Sequence, residues 1–328
     1  MTGHAHPLLT ACTRRLLAAA GVTGAATVLV FAGTELLPGD AAEVILARSA
    51  GGAGGTPEQI AALRAELGLD RPWAQRYVDW LAGIVDGDLG RSLVSGRPVT
   101  DIVAQRLGNT LLLAGLAAVL LVPVAIGLGV WSGLRQGRFA DRVTSAVAIG
   151  LQSLPEFVAA TGLIAVFALG WKLLPPVSLI PDGTSPLARP ETLVLPVASL
   201  LTVMAGQSIR MVRARTGEVV RAEYVRMARL HGIPERRLVR RYVVPSAVTP
   251  ALQLLAGSIS WLIGGVVVVE QVFAYPGISH ELVAAVSSRD VPVVQALATA
   301  MAACGILVYT VADLLAIVLV PKLRTGGH

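Results

Sequence analysis

Six long, uncharged or nearly uncharged apolar runs dominate this chain, at residues 16–37, 110–133, 143–169, 193–209, 247–269 and 291–320. About 20 apolar residues in a helix cover the hydrocarbon core of a bilayer, so each run is long enough or nearly long enough to cross. The runs are continuous rather than alternating, and lipid forces every backbone polar group to find its partner within the segment, so helices are expected rather than a barrel. A hydrophobic content of 54% against 15% charged residues, with a mean hydropathy of +0.67, excludes a soluble domain of this length. The expectation is an all-α polytopic membrane protein with six transmembrane helices.

The net charge of +6 invites a nucleic-acid partner, but its distribution argues against one. Between Arg210 and Pro245 there are ten arginines and only Glu218, Glu223 and Glu235 to oppose them, an excess larger than that of the whole chain. Arg14 and Arg15 precede the first run, Arg135, Arg138 and Arg142 follow the second, and Lys322 and Arg324 follow the last. The segment from Pro38 to Gly108 holds nine acidic residues against seven arginines. Basic residues stay on the cytoplasmic side, so both termini are expected in the cytoplasm and the 38–108 segment outside. Arg14-Arg15 before an apolar run could open a signal peptide, but no convincing small-residue cleavage site follows, and an uncleaved first helix is expected. Cys12 and Cys304 fall at different depths, so two free thiols are expected.

Outside the membrane, glycine-rich residues 49–55 lead into Thr56-Pro57-Glu58-Gln59, a threonine cap with proline at the first helical position and glutamine to close a capping box. Gly68 ends that helix. Asp70-Arg71-Pro72-Trp73 opens another, with Tyr77, Trp80 and Leu81 on one stripe, and Pro98 to Leu107 leads into the second run.

The arginine-rich segment carries its own punctuation. Val219 to His231 can form a helix, Gly232 can supply a left-handed cap, and Pro234-Glu235 suits the first turn of a second helix. Retention of basic residues inside explains the arginines but not the glycine and proline. Arg226-Met227-Ala228, three residues, Gly232, nine residues and Tyr242-Val243-Val244-Pro245 resemble the EAA loop of ATP-binding-cassette (ABC) importer permeases. Arg226 stands where that family has glutamate, Met227 where it has alanine or threonine, and Tyr242 where it has isoleucine. Tyr224-Val225-Arg226, with Gly232 and Glu235-Arg236-Arg237, resembles the dipeptide/oligopeptide/nickel branch. The likeness continues in Leu37-Pro38-Gly39-Asp40, Gly68-Leu69-Asp70-Arg71-Pro72, Gly87-Asp88-Leu89-Gly90-Arg91-Ser92, Gly96-Arg97-Pro98-Val99, Ser153-Leu154-Pro155, Glu270 to Phe273, Tyr275-Pro276-Gly277 and Arg289 to Gln295.

This resemblance implies the type I ABC importer transmembrane fold. Residues 1–37 would be the cytoplasmic N-terminus and first helix, 38–107 an extracytoplasmic helical segment, 108–320 the core with its coupling loop at 210–245, and 321–328 a cytoplasmic tail. The implied partners are a homologous second permease, two cytoplasmic ABC ATPase subunits, an extracytoplasmic solute-binding protein and membrane lipid, with no nucleic acid. The implied solutes are peptides, nickel chelates or similar small molecules. Glu223, Tyr224, Arg226, Ala228, Gly232, Pro234 and Glu235 would couple to the ATPase.

No catalytic, metal or cofactor site is expected in the chain. A phosphate-binding loop needs lysine directly after glycine, and the chain's lysines, Lys172 and Lys322, follow Trp171 and Pro321. His-Glu-x-x-His and Gly-x-Ser-x-Gly motifs are missing from the sequence, and His4 and His6 lie in a terminal tail. Intramembrane carboxylates are costly and mark functional positions. Glu156 is expected mid-span, whereas Glu35, Glu270 and Asp313 sit near span ends where they can reach water or a basic partner. Gln152, Glu156, Gln207, Gln253 and Glu270 are candidates for the translocation path. Pro123, Pro155 and Pro196 are candidates to kink or begin helices beside it. The alternative to an ATP-driven permease is an ion-coupled secondary transporter acting without an ATPase subunit, using Glu156 or Glu270 for protons.

Overall fold

A computed structural model describes residues 5–36, 42–43, 46, 55–66, 68–247 and 266–319. In chain order its helices are α1 (Ala5–Glu35), α2 (Pro57–Glu66), α3 (Trp73–Asp86), α4 (Val99–Gly133), α5 (Phe139–Ser153), α6 (Glu156–Leu163), α7 (Glu191–Val220), α8 (Glu223–Leu230), α9 (Glu235–Leu238), α10 (Ile278–Ser288) and α11 (Val291–Leu319). Among the described residues no strand forms, and Arg91 and Pro98 make an isolated antiparallel bridge.

Among the described residues, four helices are long and apolar enough to cross a membrane: Thr13–Glu35, Val99–Gly133, Glu191–Val220 and Val291–Val311. The run at 143–169, expected as one continuous span, is instead two helices meeting at 106°. Pro155 has no amide hydrogen to donate and drives its predecessor out of helical geometry, so Leu154 is extended with φ −80° and ψ 126°. Glu156 therefore stands in the first turn of α6 rather than in mid-span, and α6 runs on as a π-helical stretch, Ile164–Gly170. Of the run at 247–269, residues 248–265 lie outside the described residues. The described part thus carries four spans, or five if the bent pair counts as one.

The chain divides into two units, residues 1–109 with 276–310 and residues 110–275 with 311–328. In the first unit, the Thr56 and Gln59 side chains and backbone amides form the expected capping box on α2, and Gly68 ends its neighbourhood with φ +66°. The α3 stripe meets α1: Phe31 packs against Tyr77 and Trp80 with ring centres 5.3 and 5.8 Å apart, and Arg76 donates twice to the Glu35 carboxylate. Glu35 is thereby held by a partner. Deeper in this unit, Val99 and Ile102 of α4 pack with Ile278 of α10 and Val293 and Leu297 of α11. Asp290, 3% exposed, accepts hydrogen bonds from Ser92 Oγ and Leu93 N, joining two motifs almost two hundred positions apart.

In the second unit, α4 residues from Leu113 to Ala125 share a core with α5, α7 and the 266–275 segment. The α5–α7 crossing is close because position 206 is glycine: a β-carbon there would press into the Ala148 carbonyl oxygen, well inside van der Waals contact. Pro123 and Pro196 remain inside α4 and α7.

Candidate functional site

The helix expected over 219–231 is in fact two. The membrane-crossing helix α7 continues past its apolar run to Val220, ten residues beyond Arg210, and α8 begins afresh at Glu223 after an extended Ala222. The long apolar run ends at Ile209, but Arg210–Val220 holds no proline, and its arginines, Ala214 and Glu218 are good helix formers that outweigh the single Gly217.

The end of α8 is a Schellman motif. The Gly232 amide donates to the Arg229 carbonyl at 3.1 Å and the Ile233 amide to the Ala228 carbonyl at 3.2 Å, which requires a left-handed residue between them. Gly232 has φ +75°. The spacing of Ala228 and Gly232 therefore has a local cause: the first is the carbonyl acceptor of the Ile233 amide, and the second is the residue that turns the chain. Both Ala228 and Ile233 pack on a buried cluster of Val225, Leu238 and Val243. Pro234, extended with ψ 138°, caps α9, which begins at Glu235 and passes into a π-helical turn, Val239–Val243.

Across the glycine turn the Arg229 guanidinium grips the Glu235 carboxylate at both oxygens, at 3.1 and 2.7 Å. These hydrogen bonds hold the Glu235 carboxyl below its ordinary value and the Arg229 guanidinium above its own. Arg226 is exposed. While Val225 and Ala228 tie α8 to the chain's own cluster, its other apolar residues look outward: Tyr224 is 47% exposed, Met227 49% and Leu230 75%. The short helix thus has one apolar face buried at home and a second apolar ridge in the open.

The path candidates lie on separate elements of the second unit. Gln152, at the C-terminal end of α5, accepts a 2.9 Å hydrogen bond from Arg210. Gln207, next to the glycine of the crossing, is exposed on α7. Glu156 is half-buried, with its Oε1 buried and without a hydrogen-bond partner among the described residues. Glu270 is fully buried and accepts a hydrogen bond from Thr110 Oγ1, so it does not reach water as a span-end carboxylate could. Gln253 lies outside the described residues.

One constellation was invisible as such in the sequence. Asp141, at 2% exposure, accepts hydrogen bonds from Ser132 Oγ at 2.6 Å, from the Gly137 amide at 2.9 Å and twice from Arg213. Arg213 reads in the sequence as one of ten inside-marking arginines. The available signal was Asp141 itself, a lone carboxylate among three arginines.

Comparison with known proteins agrees with this architecture. Residues 125–325 match the model of the binding-protein-dependent transport system inner membrane component, and residues 8–114 match that of the N-terminal part of such membrane components. A peptide transport system permease protein of Brucella abortus (strain 2308) is 35% identical over 300 residues, covering 90% of this chain and 93% of its own. A peptide ABC transporter permease protein of Sinorhizobium fredii is 31% identical over 313 residues, covering 95% and 98%. A metal-staphylopine import system permease protein of Staphylococcus aureus is 33% identical over 273 residues, covering 83% and 85%. The chain belongs to the inner membrane components of binding-protein-dependent transport systems, the permeases of ABC importers, which leave ATP hydrolysis to a separate subunit.

Proposed function

We propose that this chain is one of two homologous permease subunits that together enclose a path across the cytoplasmic membrane, importing peptide or a small metal chelate delivered by an extracytoplasmic binding protein. The names of the relatives support that solute class, spanning peptide and metal-staphylopine import. Two cytoplasmic ABC ATPase subunits power the cycle. Both termini and the 210–245 loop face the cytoplasm, and residues 38–107 face outward, as the charge asymmetry supports.

The exposed ridge of α8 carries the reading. Residues 222–236 dock in a groove of the ATPase, with Tyr224, Met227 and Leu230 entering it and Glu223, Arg226 and Pro234 at its rim. Ala228, Gly232 and the Arg229–Glu235 clamp set the angle. Closure of the ATPase pair then moves the docked helices as rigid bodies and switches access between the two sides. Gln152, Glu156, Gln207, Gln253 and Glu270 contribute to the path or its walls.

Co-expression with the ATPase subunits tests this. Burying a leucine side chain contributes about 1.5–3 kcal/mol, so Leu230→Asp should abolish ATPase co-purification while the permease stays at normal abundance in the membrane. Undiminished co-purification of that variant would refute docking through α8.

A further inference from the structure

The turn joining α4 to α5, residues 134–138, ties the membrane-crossing helices of the second unit to the docking loop. Leu134 packs at once on the buried pair Val130 and Val212 and on the cluster of Val225, Leu238 and Val243 that seats α8. Arg221, in the short break before α8, donates to Gln136 Oε1 at 2.8 Å and to the Gly217 carbonyl at 3.1 Å. Immediately before the turn, Gly129 and Gly133 let α7 lie against the α4 backbone: β-carbons on them would fall 2.6 Å from Val212 and 2.5 Å from Thr216. Immediately after it, Asp141 receives the Arg213 fork, the Ser132 hydroxyl and the Gly137 amide.

We infer that this turn is a second coupling element, and that Asp141 is a positioning residue that makes the cytoplasmic ends of α4, α5 and α7 follow α8 as one block. The Asp141 end of the bidentate pair is buried while Arg213 is partly exposed, so any displacement leaves the carboxylate without water and without its partner. A torque applied at α8 therefore reaches α4 and α5 through two contacts on the turn, Leu134 and Gln136, and through α7 by way of Arg213. An exposed pair such as Arg215–Glu218 would slip and re-form in solvent.

The inference rests on α8 being the docking helix, so the test separates the two. Four variants, Asp141→Asn, Asp141→Glu, Gln136→Ala and Leu230→Asp, are assembled with binding protein, partner permease and ATPases in proteoliposomes, and solute imported per ATP hydrolysed is measured. Asparagine keeps the shape of Asp141 but presents an NH2 donor to donors. Asp141→Asn should retain ATPase capture and hydrolysis yet import about tenfold less solute per ATP, as expected for losing charge-assisted bonds that keep the block rigid. Gln136→Ala should lower the ratio in the same direction by a smaller factor, and Asp141→Glu should partly restore it. A purely structural staple would lower abundance and leave the ratio alone. Wild-type ratios in both Asp141→Asn and Gln136→Ala overturn the inference; should Asp141→Asn fail to accumulate, Gln136→Ala decides alone. Persistent ATPase capture by Leu230→Asp instead refutes the docking reading beneath it.

Discussion

Replacing Gly232 tests whether the angle of the docking loop is set by backbone conformation. A β-carbon at this position would meet no heavy atom within 4 Å, so side-chain size costs nothing by crowding. What remains is φ +75°. Holding a non-glycine residue in the left-handed region costs about 1–2 kcal/mol, with β-branched residues at the upper end. Escaping it instead breaks the two Schellman hydrogen bonds, Gly232 to Arg229 and Ile233 to Ala228, at about 1 kcal/mol each. Either route gives about 2 kcal/mol for Gly232→Val, a shift of up to about 30-fold between correctly and wrongly aimed loops. Asparagine tolerates the left-handed region, so Gly232→Asn should lie near wild type, with alanine between. The assay is ATPase capture and solute uptake at matched membrane abundance. Refutation would be valine at wild-type uptake, or asparagine as damaging as valine, since the second result means that any side chain there is harmful and the φ argument is wrong.

Other outcomes follow from the same structure. In a background lacking Cys12 and Cys304, a cysteine at position 54 should react with an impermeant thiol reagent on intact cells and one at position 226 should not; the opposite pattern would invert the topology. The purified chain by itself should show no saturable ATP turnover, and turnover should appear on adding ATPase subunits. Gly206→Leu should deplete the protein from the membrane, because the added atoms collide with the Ala148 backbone, and normal abundance would contradict the close α5–α7 crossing. The Glu235 carboxyl titrates below its unfolded value, so the stabilisation from its clamp is present above the ordinary carboxylate range and is lost as pH falls through the lowered one. Because both partners are largely exposed, Glu235→Gln should cost under about 1 kcal/mol at neutral pH, less in high salt, measured as ATPase-binding affinity.

The same exposure corrects a simple view of the loop arginines. As bare inside markers they would be interchangeable, but Arg210 holds Gln152, Arg213 holds Asp141, Arg221 holds Gln136 and Arg229 holds Glu235.

Local chemistry was readable from the chain. The Thr56–Gln59 box, the stop at Gly68, the left-handed Gly232 and the membrane-crossing character of the apolar runs all depend on residues within one or two turns, where backbone sterics and hydropathy act. Pro155 was recognised as an interruption, yet hydropathy cannot distinguish a kink from a 106° reversal of direction, because either leaves the residues equally apolar. The boundary between α7 and α8 failed for a related reason: arginine-rich sequence permits a helix on both sides of Arg221.

By itself, the sequence determined apolar helices fit for lipid, the uneven distribution of charge among the segments and the glycine-turned loop, since each follows from interactions between neighbours or with the solvent. Only the tertiary structure decided that Asp141 meets Arg213, that Asp290 receives Ser92, that Glu270 is enclosed beside Thr110 and that Tyr224, Met227 and Leu230 are left uncovered. A charged or apolar side chain carries the same free energy of transfer wherever it stands in the chain. Whether that energy is met at home or left for a partner depends on which distant segment folds against it.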